Sequence, residues 1–173
     1  MNQPFFQTRT GEIIYLKNIS SDQINILDIA TSLSKICRYA GNCNQFYSVA
    51  EHCCHVSDCC KDYPLWGLLH DAVEAYMGDI PRPVKNMIPE IWELETQLSM
   101  AVAERFRLDP ILMPKEVLDI DRRITMDEYL SLFLPISDKL WGDDFGEPLG
   151  VLIECWDPLT AYREFAERFN KYF

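Results

Sequence analysis

The sequence predicts an all-α fold, a helical bundle with a short β-hairpin at its N-terminus. Three observations predict it. Apolar residues recur at spacings of three and four through most of the chain. Glycine and proline punctuate the gaps between those stretches. The strand-like segments FFQT and EIIYL, in residues 5–16, flank Thr10-Gly11, which suits a hairpin turn.

The elements follow in order. Residues 22–39 carry Ile26, Ile29, Leu33 and Ile36 at helical spacing, until Gly41 breaks the pattern and residues 42–46 form a loop. Ser48 with Glu51 three residues later reads as a capping box opening a helix to about residue 61. Pro64 suits the first turn of a helix through Leu65, Leu68, Leu69 and Ala72 to Met77, and Gly78 fits its end. Pro81 and Pro83 exclude regular helix over residues 79–83. A long amphipathic helix over residues 88–106 presents Ile91, Leu94, Leu98 and Val102, and another over 115–133 presents Val117, Ile120 and Ile124. Residues 142–150 are a polar, glycine-containing loop. Asp157-Pro158 starts a last helix whose Leu159, Tyr162, Phe165 and Phe169 dock on the core. With no repeat, low-complexity tract or linker, residues 1–173 read as a single domain.

Composition narrows the function classes. At 173 residues and 48% hydrophobic content the chain can bury a core. A net charge of −11 is unsuited to gripping a polymeric nucleic-acid backbone, yet a metal and a few cations can still make one pocket attractive to a small phosphorylated ligand. No stretch is long and apolar enough for a membrane span, and no export signal is visible, so a cytoplasmic protein is expected. Seven cysteines, two adjacent pairs among them, then read as reduced apolar fillers. The helix faces permit a homodimer or larger ring.

The stretch that carries chemistry is HDAVEAYMGDIP, beginning at His70. On a helix His70, Asp71 and Glu74 can look into one cleft, and a charged pair following apolar LWGLL needs a cation or strong hydrogen bonds. His52, on the preceding helix, can be presented opposite His70. Asp119 and Asp121 are two apart, so one of them faces inward, and Asp121 shares the stripe of Val117 and Ile124. The alternative for Asp121 is a surface ion pair with Arg122 or Arg123, with Asp119 in its place. A separate zinc site using His55 and Cys59, with His52 on a similar helix azimuth, lacks a fourth ligand. Two imidazoles and two carboxylates suit one divalent transition metal (Mn, Co, Fe, Ni or Zn, with Mg as a further option) better than a thiolate cage would.

The order SVAEH, LLHDAVEAYMGDIPRPVK and IDRR resembles the HD-domain metal-dependent phosphohydrolases, in particular the compact branch of bacterial 5′-deoxyribonucleotidases and small phage dNTP triphosphohydrolases. The resemblance runs from about Ile26 to Arg123, with a weaker echo in WDPLTAYREFAERF. It implies His52, His70, Asp71 and Asp121 as metal ligands, and Glu74 and Asp79 as the groups that activate water or protonate the leaving group. It implies Arg38 and Lys85 as phosphate contacts, consistent with a planar guanidinium fork and a point charge. At Tyr39 the chain departs from the nucleotidases, which place a tryptophan against the sugar there. The activity so implied is removal of phosphate from deoxynucleoside monophosphates. Alternatives are release of triphosphate from a dNTP, hydrolysis of a cyclic or signalling nucleotide, and nucleotide binding without turnover.

Overall fold

The computed structural model describes residues 4–109, 111–134 and 145–173. Strands β1 (Phe6–Gln7) and β2 (Ile13–Ile14) pair antiparallel, with Phe6 opposite Ile14. Gly11 takes the turn at φ +93°, a value that suits a residue without Cβ. Asp28 pins the hairpin, accepting from the Thr10 amide at 2.9 Å and the Thr10 hydroxyl at 2.6 Å.

The first helix is shorter than the periodicity over 22–39 predicts. Ser20 and Gln23 cap a 3-10 turn, and Asn25 then caps α1 (Ile26–Leu33) by accepting from the Leu27 amide. Such side-chain bonds to nearby backbone compete with the helix and delay its start. Beyond Ser34 the chain extends at Cys37, which bridges Ser48, and turns back through Tyr39 and Ala40 at φ +59° and +52°. Left-handed backbone at two successive non-glycine residues is costly and needs outside support.

Helix α2 (Val49–Cys59) is the centre of the molecule. Every residue from Val49 to Ser57 is buried, and the helix packs against α1, α3 (Pro64–Leu69), α7 (Lys115–Leu132) and α8 (Pro158–Phe169). Ser48 caps it through the Glu51 amide as expected. The reciprocal bond of the capping box is not made, because the Glu51 carboxylate serves other amides. Small residues let α2 and α3 approach closely: a Cβ on Gly67 would lie 2.9 Å from the Ser57 Cα.

The helix expected from Pro64 to Met77 is broken in two. The amides of Ala72, Glu74 and Ala75 bond back to Leu69, Asp71 and Ala72, three residues rather than four, which overwinds residues 70–73 before α4 (Glu74–Met77). Gly78 ends α4 at φ +80°. Helix α5 (Arg82–Met87) begins inside the proline segment expected to be irregular. Pro83 lies in its first turn, where no amide proton is required.

Helix α6 (Pro89–Arg105) and α7 match their expected spans, with Val117, Ile120 and Ile124 buried, although only Leu98 and Val102 of the α6 stripe are fully inside. In α8, capped by Asp157, Phe165 and Phe169 are buried while Leu159 is 56% exposed, so the docking stripe is narrower than expected. Of the loop expected over 142–150, residues 142–144 lie outside the described residues. Leu149 and Gly150 donate their amides to Asp127. One apolar cluster runs from Ile14 to Phe169. The cysteines are free thiols, and no described helix is long and apolar enough to cross a membrane.

Candidate metal centre

Four side chains from three elements converge. His52 comes from α2, His70 and Asp71 from the overwound turn after α3, and Asp121 from α7. His52 Nε2 lies 3.0 Å from Asp121 Oδ1, 3.2 Å from His70 Nε2 and 3.7 Å from Asp71 Oδ2. His70 Nε2 lies 3.2 Å from Asp71 Oδ2 and 3.8 Å from Asp121 Oδ1. Ligands about 2.1 Å from a shared ion sit roughly 3.0–3.4 Å from one another; three of the five separations fall in that range, and the two at 3.7 and 3.8 Å lie beyond it.

The far side of each imidazole fixes which nitrogen faces inward. His70 Nδ1 is 2.7 Å from the Gly67 carbonyl, an acceptor only, so this nitrogen carries the proton. His52 Nδ1 donates to Glu128 Oε1 at 2.6 Å. In the neutral imidazoles both Nε2 lone pairs then point into the same space, an arrangement that favours a cation between them. The local field agrees. Burial opposes charge on every one of these groups, yet the facing partners hold the pKa of both histidines above the usual value and those of Asp71 and Asp121 below it. His52, His70 and Asp121 are therefore placed to hold a divalent ion, with Asp71 alongside. An overlapping set substitutes Cys53, with His70 and Asp71. Burial pushes the Cys53 thiol up to about 11, which disfavours the thiolate that a metal requires.

The remaining expected residues are placed unequally. The Arg38 guanidinium lies beside the cluster, with Nη1 3.3 Å from Asp71 and Nη2 3.2 Å from Glu128. Tyr39 follows it, its hydroxyl on Glu128 and its ring edge-on to Phe133. Glu74 is buried and its Oε2 has no hydrogen-bond partner. Burial first, then the Asp71 and Asp79 carboxylates, raise its pKa well above the usual range. Asp79 accepts from the Tyr39 amide at 2.9 Å, supporting the left-handed loop. Lys85 is not brought into the cluster: it pairs with Glu95 at 2.6 Å and lies over the Trp92 ring. Asp119 points outward to Arg122 at 2.7 Å, so the inward residue is Asp121. His55 faces Glu51 and the Trp156 ring, away from the zinc pair considered with Cys59.

Two residues were missed. Glu128, fully buried, gathers Arg38, the hydroxyls of Tyr39 and Tyr47, and His52 Nδ1. It lies seven residues after Asp121, two turns along the same face of α7, and that spacing was the available signal. Glu51, also fully buried, accepts from the amides of Glu154, Cys155 and Trp156 at 2.6–2.9 Å. Nothing in the local sequence identifies those partners.

No protein-family model matches the chain. Over 172 residues it is 34% identical to the uncharacterized protein YfdR of Escherichia coli (strain K12), covering 96% of this chain and 94% of YfdR. The chain belongs to the YfdR family. It is also 29% identical over 171 residues to an uncharacterized protein of Rhodobacter capsulatus, covering 88% of this chain and 85% of that one. The match to YfdR extends over nearly the whole chain, so it takes in the segments that supply His52, His70 and Asp121 to this member of the YfdR family.

Proposed function

We propose that the chain is a divalent-metal-dependent phosphohydrolase of the HD type, acting on small nucleotides, with deoxynucleoside 5′-monophosphates as its preferred class. One observation carries the reading: the Nε2 atoms of His52 and His70 lie 3.2 Å apart, each within 3.0–3.8 Å of an oxygen of both Asp71 and Asp121, and a guanidinium is already seated beside them. When bound, a divalent ion supplies electrophilic charge to a phosphoryl oxygen and makes a nearby water more acidic.

The chain's own residues do the rest. Arg38 retains N–H groups beyond those engaged by Asp71 and Glu128, and these can bind phosphate oxygens. Glu74, whose environment favours the protonated carboxyl, can give its proton to the leaving nucleoside oxygen. Asp79 acts through the backbone, holding Tyr39 and hence Arg38 in position. The Tyr39 ring, edge-on to Phe133, is the group proposed to contact the sugar. Lys85 would reach phosphate only after leaving Glu95, so its contribution is long-range charge toward Glu74 and Asp71. The acidic surface favours a small substrate over a nucleic-acid polymer.

The test combines metal analysis with a nucleotide panel in Mn²⁺ and Co²⁺. Inorganic phosphate from dAMP supports the proposal, whereas triphosphate from dATP would reassign it to triphosphohydrolase activity. Binding of Co²⁺ without turnover of any nucleotide, cyclic ones included, would leave a ligand-binding module. His70→Ala should abolish both Co²⁺ binding and hydrolysis. Glu74→Ala should retain the ion and lose about 100-fold or more in kcat, as removal of a proton donor does.

A further inference from the structure

Cys37 and Cys43 bracket the loop that carries Arg38 and Tyr39, and their sulfurs lie 3.7 Å apart. We propose that this pair is a thiol–disulfide modification site, oxidised by a low-molecular-weight disulfide, and that its closure displaces the substrate-binding loop. The first half stands on geometry alone; the second rests on the phosphohydrolase reading given above.

Both thiols are partly exposed, unlike the buried Cys53, Cys54 and Cys60, so a small oxidant can reach them. The backbone between them is already compact. Tyr39 and Ala40 are left-handed, and the Asn42 side-chain amide donates to both of their carbonyls. The Cys43 thiol donates to the Gln45 carbonyl at 3.0 Å and lies 3.9 Å from the Arg38 carbonyl. Burial and the Cys37 thiol push Cys43 up to about 11, which disfavours Cys43 as the thiol that opens the reaction.

The chemistry balances. The Cys37 thiolate attacks oxidised glutathione, forming a Cys37–glutathione disulfide and expelling one glutathione thiolate. Cys43 then attacks the Cys37 sulfur, a second glutathione leaves, and the protons of the two protein thiols end on the two glutathiones. Two thiols are oxidised and one glutathione disulfide is reduced. A disulfide requires sulfurs about 2.05 Å apart, so the two sulfurs must approach by more than an ångström, through side-chain rotation together with movement of the loop. Cys43 must also leave Gln45. Arg38 follows Cys37 directly and is held by Asp71 and Glu128 within fixed hydrogen-bond distances. A misplacement of about 1 Å at such a group can lower turnover by up to about 100-fold.

The experiment treats the reduced full-length protein with oxidised glutathione, maps cross-links by peptide mass spectrometry and follows hydrolysis of dAMP. The expected result is a Cys37–Cys43 cross-link, a loss of turnover of roughly tenfold or more, and recovery with dithiothreitol. Cys43→Ser should show full basal activity with neither cross-link nor inhibition, and Cys155→Ser should behave as the wild type. A Cys37–Cys155 cross-link, glutathione retained on Cys37 without loop closure, or a cross-link that leaves turnover unchanged would each overturn the inference. If the reduced wild type hydrolyses no nucleotide, the phosphohydrolase reading falls, and the cross-link map still decides the modification site.

Discussion

Glu128 shows how one carboxylate can organise two functions at once. Its Oε1 takes Tyr47 and His52, while its Oε2 takes Arg38 and Tyr39. It therefore sets the proton on His52 that leaves Nε2 free, and it anchors the Arg38 guanidinium. Glu128→Gln must turn an amide N–H₂ toward one of those donor pairs. Co²⁺ affinity, read by isothermal titration calorimetry, should fall by about 10- to 100-fold. The convergence of His52, His70, Asp71 and Asp121 was legible because AEH, HD and IDRR occur in the order that resembles the HD-domain family, although each residue alone has ordinary structural uses. For Glu128 the seven-residue spacing from Asp121 put it on the same helix face, but its partners lie 76 to 90 residues away and nothing along the chain names them. Lys85 illustrates the converse: its place after the proline segment was readable, whereas Glu95, which holds it, comes from the next helix.

At the scale of elements, the local breaks matter more than the helices they separate. The overwound turn after α3 projects His70 and Asp71 toward one centre while Glu74 starts a new helix. A pattern of threes and fours predicts helix on both sides of such a turn but cannot distinguish bonds to i−3 from bonds to i−4, so the break was invisible in the sequence. Gly67 secures the turn by admitting α2 against α3. Gly67→Ala would drive a methyl to 2.9 Å from the Ser57 backbone and shift the carbonyl that His70 Nδ1 uses. Urea denaturation should show a loss of about 1–3 kcal/mol, with weaker Co²⁺ binding in the same variant. The cap of α8 makes a pH prediction. Hydrogen bonds from the Thr160 hydroxyl and amide and the Leu159 amide hold the Asp157 carboxyl below its usual range. A depressed folded pKa gives stability that is present above the unfolded value of ~3.9 and is lost as pH falls through the folded one. Asp157→Ala should accordingly flatten that part of the acid-stability curve measured by circular dichroism.

Across the whole molecule, α2 is the axis on which the other parts are hung. The sequence marks it only as a capped helix, and its Glu51, His52, His55 and Ser57 look polar. They are all buried, since each meets a partner or fills the centre. Glu51 carries the longest of these linkages. Glu51→Gln places an amide N–H₂ against at least one of three backbone donors and should cost ~2 kcal/mol or more in urea unfolding. The same linkage imposes an order on synthesis. As the nascent chain leaves the ribosome, α2 emerges more than a hundred residues ahead of the amides of Glu154, Cys155 and Trp156. Until those amides arrive, seating α2 at the centre would strand a bare carboxylate among apolar side chains. Seating of α2, and with it the approach of His52 to His70, therefore waits for residues 154–156, and chains truncated before them should not fold to the compact state.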